Sequence, residues 1–167
     1  WASASATPWN RHKFTAFEGG VRVPAFAVHP GRIQPGTRSD AMLTIMDVMP
    51  TFLELAGTRH PGASWQGREV LAPQGRSMLP VLRGEAAEVH PEDEEFGWEL
   101  FGHRGVRKGD WKLVWDQAAP EAGRRWMLFN LAEDPLEQND VSAAHPDKLA
   151  ELTGIWNRYQ ERNGVIY

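Results

Sequence analysis

Arg107-Lys108-Gly109-Asp110-Trp111-Lys112-Leu113-Val114-Trp115 decides how the second half of this chain folds. Trp111, Leu113 and Trp115 recur at every second position, the period of a strand with one face buried. Lys108-Gly109-Asp110 separates this run from Gly105-Val106-Arg107, a strong hairpin signal. Two more β-like pieces flank the pair, Gly97-Trp98-Glu99-Leu100-Phe101 before it and Trp126-Met127-Leu128-Phe129-Asn130 after it, so an antiparallel meander is expected. Beyond the meander, Pro146 suits a first helical position. Leu149, Leu152, Trp156 and Tyr159 then follow at helical spacing before Asn163-Gly164 stops the run. That helix should pack on the sheet and complete a small α+β unit.

The front half reads differently. Val21-Arg22-Val23-Pro24-Ala25-Phe26-Ala27-Val28 is rich in β-formers and ends at the turn His29-Pro30-Gly31, so it reads as a strand. Pro24, lacking an N–H, should sit near the start of that strand, at an edge or at a bulge. Glu18-Gly19-Gly20 ahead of it permits a sharp, close-packed backbone. A helix follows, with Asp47 as N-cap, Met49, Phe52, Leu53 and Ala56 on one apolar face, and Gly57 as the stop. Residues 58–95 are rich in Gly, Pro and charge and read as a long surface connection carrying a subdomain boundary. The expected division is therefore 1–90, the edge of something larger, and 91–167, the α+β unit.

Composition narrows the function classes. With 167 residues, 41% hydrophobic and 24% charged, the chain has the makeup of a globular protein. A formal charge of −4 with dispersed cations argues against a nucleic-acid partner. No stretch approaches the roughly 20 apolar residues of a membrane span, so no membrane partner is expected. Cysteine is absent, which removes disulfides and thiolate chemistry within these residues and leaves the compartment open between bacterial cytoplasm and periplasm. The opening Trp1-Ala2-Ser3-Ala4-Ser5 lacks an initiator Met and reads as the inside of a longer loop, from which a truncated gene is expected. Trp is frequent, eight in all, and such residues fill cores or line sugar clefts.

No complete catalytic constellation stands in the sequence: there is no H-E-x-x-H pair, no glycine-rich phosphate loop and no G-x-S-x-G elbow. His29, His60, His90 and His145 each precede Pro and read as loop residues. One run stands out, Arg11-His12-Lys13-Phe14-Thr15-Ala16-Phe17-Glu18-Gly19-Gly20, where cations and a hydroxyl precede the glycine turn. An ammonium such as Lys13, with three donors, suits a sulfate or phosphate group. Taken as an arbitrary lysine, it would simply be solvated.

The run Lys13-x-Thr15-x-Phe17-Glu18-Gly19-Gly20-Val21-Arg22-Val23-Pro24 resembles the segment of sulfatases in which a lysine ahead of an E/Q-G-G turn contacts the substrate sulfate. Further segments resemble that family in the same order: Asp47 to Gly57, Gly75 to Glu85, Arg107 to Leu113, and Leu128 to Asp140. Gly97-Trp98-Glu99-Leu100-Phe101-Gly102 and the opening residues look closer to bacterial aryl- and alkylsulfatases than to the lysosomal branch. The resemblance implies the C-terminal portion of an α/β, alkaline phosphatase-like sulfatase fold, ending in an antiparallel sheet packed by a C-terminal helix. It implies a sulfuric ester hydrolase acting on small-molecule sulfate esters, with Lys13 as the one substrate-binding residue that maps onto this chain. It also implies formylglycine, formed from a Cys or Ser in C/S-x-P/A-x-R, and a Ca2+ held by acidic pairs. Neither that motif nor those pairs maps here, so no catalytic and no metal-binding residue is assigned within the chain, which alone is expected to be inactive.

Each segment also has a structural account: a capped helix at 47–57, a half-buried strand at 111–115, and a turn of Asp134-Pro135 with Glu137 and Asn139 held by side-chain to backbone hydrogen bonds. His103, Arg104 and Arg107 are weaker candidates for the leaving group of the ester, since charged hairpin residues usually face water. Two other functions compete. A phosphomonoester or phosphonate hydrolase of the same superfamily would use the same lysine. A non-catalytic carbohydrate-binding module would show Trp98, Trp111, Trp115 and Trp126 as an exposed row, whereas burial under the 146–163 helix would make them core.

Overall fold

The computed structural model describes residues 1–166. In chain order its elements are α1 (Ala2–Ser5), α2 (Glu18–Val21), α3 (Val48–Leu55), β1 (Ser64–Trp65), β2 (Arg68–Glu69), α4 (Leu79–Leu82), β3 (Glu95–Leu100), β4 (His103–Lys108), β5 (Trp111–Trp115), β6 (Trp126–Asn130) and α5 (Pro146–Asn163). They form two compact units. Trp1–Pro24 and residues 92–166 make the first, and Ala25–Pro91 the second. The sequence division keeps 1–24 with the residues up to 90, whereas in the structure they pack against the sheet of the first unit.

In the first unit β3, β4, β5 and β6 pair antiparallel in sequence order, the expected meander. Phe101 and Gly102, at φ 52° and 83°, close the β3–β4 hairpin with the positive φ values a two-residue turn of right-twisted strands requires. Gly109, at φ 57°, begins the equally short β4–β5 connection. One face of the sheet carries Val106, Leu113 and Leu128, which pack with Leu152, Ile155 and Trp156 of α5. Trp111 and Trp126 join that cluster, and ring centroids lie 5.6 Å apart for Trp126–Trp156 and 5.5 Å for Trp115–Trp126. Trp111 and Trp126 are therefore half-buried in the cluster under α5 and Trp115 packs edge-on to Trp126, whereas the half-buried Trp98 lies on the opposite face of the sheet, so the four do not form a flat exposed row. Full burial of a large apolar side chain, as at Leu152 and Trp156, is worth about 1.5–3 kcal/mol. The helix begins at Pro146 and ends at Asn163, capped by Gly164 (φ 61°), as its sequence pattern requires.

The second face is where the expectation of a half-buried strand fails. Val114 and Phe129 are covered by Ala16 and Phe17, and Lys112 on the same face is wholly buried. The N-terminal loop lies on this face, so the sheet is covered on both sides.

The residues from Val21 to Pro91 also depart from their sequence pattern. Val21 to Val28 forms no strand: Glu18–Val21 is one helical turn, and the residues after it carry no ladder partner among the described residues. β-propensity records a fit to a pleated, half-buried surface, and here Val23, Phe26 and Val28 are exposed. The stretch 58–95 holds a hairpin, β1–β2, turned by Gln66 and Gly67 at φ 50° and 79°, and then α4. α3 forms as expected, but Met49 and Phe52 are exposed.

Asp47 precedes α3, yet its side chain does not cap that helix. The carboxylate instead accepts the Thr44 N–H (2.6 Å), the Arg76 N–H (2.8 Å) and a contact from His90 Nε2 (2.9 Å). His90, read as a loop residue, is thus a buried partner of a buried carboxylate. Thr51 completes the hub, donating to the Asp47 carbonyl and accepting the Met78 N–H.

Candidate functional site

The loop from Trp9 to Val21 carries Lys13, and its shape follows from a few backbone demands. Gly19 N–H donates to the Asn10 carbonyl (2.8 Å), drawing the two ends of the loop together. A Cβ on Gly19 would overlap the carbonyl oxygens of Asn10 and Arg11, and one on Gly20 would overlap that of Thr15. Both positions therefore need glycine for close approach. Inside the loop Thr15 Oγ1 donates to the His12 carbonyl (2.8 Å), while Arg11 and Phe14 adopt positive φ values of 64° and 79°. Ala16 and Phe17 insert into the sheet.

Lys13 is exposed at the tip. Its Nζ lies 5.1 Å from the Phe14 ring centroid and meets no carboxylate among the described residues. Phe14 in turn contacts Phe101 of the β3–β4 turn, centroids 5.8 Å apart. Arg11 reaches Asp116 (3.4 Å), and Arg22 lies over the Trp9 ring at 4.0 Å.

Beneath the loop sits a buried charge cluster that the sequence pattern does not reveal. Lys112 Nζ lies 2.7 Å from Glu18 Oε1 and 2.8 Å from Glu137 Oε1, with its ammonium 5.6 Å from the Trp98 ring centroid. Glu137 Oε2 accepts the Glu18 N–H at 2.6 Å, and the Glu137 carbonyl accepts Asn10 Nδ2 at 3.0 Å. Two carboxylates therefore share one buried ammonium, and the half-exposed Arg22 guanidinium, 3.7 Å from Glu18 Oε2, supplies a second positive charge. Burial pushes the Glu137 carboxyl above the usual carboxylate range, against the opposing pull of Lys112 and the Glu18 N–H. Glu137, expected to hold its own turn, points inward. Asp134 does that work by accepting the Asn139 N–H at 2.7 Å. The available signals are a lysine inside an otherwise apolar strand and a glutamate just past Asp134-Pro135.

The hairpin candidates are committed elsewhere. His103 is buried, its Nδ1 3.2 Å from the Gln117 nitrogen and 3.4 Å from Asp116 Oδ1. The Arg104 guanidinium lies 4.8 Å from the Trp115 ring centroid, and Arg107 Nε donates to the Gly109 carbonyl. Packing and turn contacts account for all three. The acidic groups do not fit a divalent cation either. Glu18 and Glu137 face an ammonium, Asp47 is filled by His90 and backbone N–H groups, and among the described residues no group of three His, Asp or Glu is arranged to hold a metal.

Comparison with known proteins adds the family. The family described as N-sulphoglucosamine sulphohydrolase, C-terminal, matches residues 9–155, which include the Lys13 loop, the charge cluster and most of α5. The chain belongs to this sulfatase C-terminal family. An uncharacterized sulfatase of Schizosaccharomyces pombe is 38% identical over 99% of this chain and 30% of its own length. The ulvan-active sulfatase of Formosa agariphila is 37% identical over 81% of this chain and 31% of its own. Arylsulfatase G of Canis lupus familiaris is 35% identical over 92% of this chain and 30% of its own. A solved structure from the metabolism of multiple glycosaminoglycans by Bacteroides thetaiotaomicron shares the fold with a TM-score of 0.72 at 24% identity, over 92% of this chain and 32% of that one. This sulfatase segment thus spans about 30% of the length of the curated relatives it matches, and it has the fold of the C-terminal part of sulfatase structures.

Proposed function

We propose that the protein carrying this segment hydrolyses sulfate esters, and that Lys13 binds the sulfate group of the substrate. The observation that carries the reading is the Lys13 ammonium, exposed and without a carboxylate partner among the described residues, at the tip of a loop whose base is buried and ion-paired. An ammonium held in this way neutralises charge on the sulfate and on the departing ester oxygen, where it is worth more in the transition state than in bulk water. Sulfated sugars are the substrate class we favour. In support, relatives are named N-acetylgalactosamine-6-O-sulfatase and ulvan-active sulfatase, and a solved neighbour holds its substrate D-glucosamine-2-N,6-O-disulfate. In this reading formylglycine and a calcium ion complete the site from residues outside the chain. The segment itself supplies anion binding and the framework that supports it.

The test is Lys13→Ala in the full-length protein, assayed on 4-nitrophenyl sulfate and on sulfated monosaccharides. A loss of about 3 kcal/mol of transition-state stabilisation, on the order of 100-fold in kcat/KM, is expected. Retention of wild-type kcat/KM by a folded variant refutes the role of Lys13.

A further inference from the structure

We infer that Glu137 is a positioning residue for Lys13, an inference that rests on Lys13 binding the substrate sulfate. Glu137 lies 119 residues from Glu18, yet it holds both ends of the loop that carries Lys13. Its backbone carbonyl accepts Asn10 Nδ2 (3.0 Å) at the entrance, and its carboxylate accepts the Glu18 N–H (2.6 Å) at the exit. The same carboxylate lies 2.8 Å from Lys112, which also binds the Glu18 side chain. The loop base is thereby fixed at three points, two on the Glu137 turn and one on Lys112 of β5. Glu137 is 2% exposed and sits at φ 54°, a conformation that a non-glycine residue keeps only where its surroundings over-determine it. Buried charge and backbone strain coincide at one residue, two of whose partners, Asn10 and Glu18, lie at the two ends of the Lys13 loop. Holding a reacting group within a fraction of an ångström is what such a frame does for a rate, and its removal leaves the ammonium present but misplaced.

Glu137→Ala cuts the tether to the Glu18 N–H and leaves Lys112 paired one to one with Glu18, so no buried charge is stranded. Glu137→Gln keeps an acceptor for the Glu18 N–H and serves as the rescue. In the full-length protein the Ala variant should keep its circular dichroism and metal content and lose about tenfold or more in kcat/KM on 4-nitrophenyl sulfate, with Gln within about threefold of wild type. Combined with Lys13→Ala, Glu137→Ala should cost no more than about a further twofold, because it acts through Lys13. Full additivity, a folded Ala variant with wild-type kinetics, or an Ala variant that no longer folds would each overturn the inference. If Lys13→Ala is itself without effect, the Lys13 reading falls. If only Glu137→Ala is without effect, that reading stands and the positioning role falls.

Discussion

Replacing Lys112 by Met removes the cation between two buried carboxylates while nearly preserving the volume of the side chain. The aliphatic stem is largely retained, so the packing loss is small. What remains is Glu18 and Glu137 facing one position from which an ammonium at 2.7 and 2.8 Å has gone. Breaking a buried pair from one side typically costs about 3–5 kcal/mol. Arg22 stays 3.7 Å from Glu18 Oε2 and is half exposed, so the lower end, about 3 kcal/mol at pH 8, is expected. The pH dependence carries a sign. Burial already holds the Glu137 pKa above its unfolded value, and Lys112 opposes that shift, so its removal raises the pKa further. A carboxyl with a raised folded pKa contributes stability that is full below the unfolded value and lost as the pH rises through the folded one. The variant should therefore lose less at pH 5 than at pH 8, the two differing by up to about 1.4 kcal/mol for each unit of added shift. Equilibrium urea unfolding followed by tryptophan fluorescence reads both values. A loss under about 1 kcal/mol at pH 8, or one that is constant or larger at pH 5, refutes the account.

Three further outcomes follow from the same packing. Gly105→Ala places a methyl in the Trp98 ring, which is held over Lys112, and should cost about 1–3 kcal/mol; an unchanged melting temperature would show that the ring yields freely. Asp47→Asn disturbs the hub of the second unit and should cost about 1–3 kcal/mol at pH 7. Burial pushes the Asp47 carboxyl up, but His90 and the N–H groups of Arg76 and Thr44 outweigh it and hold the pKa low. That stability is present above the unfolded value and lost as the pH falls through the folded one, so the gap should narrow in acid, and urea midpoints at pH 3 and 7 that differ equally would contradict it. Leu152→Ala opens a cavity between α5 and the sheet and should cost about 2–5 kcal/mol, measured by urea unfolding, with a loss below about 1 kcal/mol counting against the stated core.

The local elements are legible in the sequence because local physics sets them. Period-two alternation at Trp111–Trp115, the glycine at position 109 and the helical spacing from Leu149 to Tyr159 each follow from neighbours a few residues away, and strand, turn and helix all form there, although the strand is covered on both faces where its pattern predicts one. The ordered motifs likewise place the chain in its family, and Glu18-Gly19-Gly20 announces a tight backbone that the structure explains through close carbonyl contacts. Val21 to Val28 has the composition of a strand and forms none, because a strand also needs a ladder partner, which no propensity supplies.

The charge cluster is out of reach for a related reason. Alternation shows that Lys112 and Val114 share a face, but it does not show whether that face is wet. That depends on a loop 94 residues earlier and a turn 25 residues later, brought together only when the sheet forms. Sequence therefore determined which residues form the four strands of the meander, the final helix and the lysine-bearing loop. Tertiary structure alone decided that Lys112 lies in the interior and that Glu137 holds both ends of the Lys13 loop, because a charge is buried only where distant segments bring its counter-charge within hydrogen-bond reach.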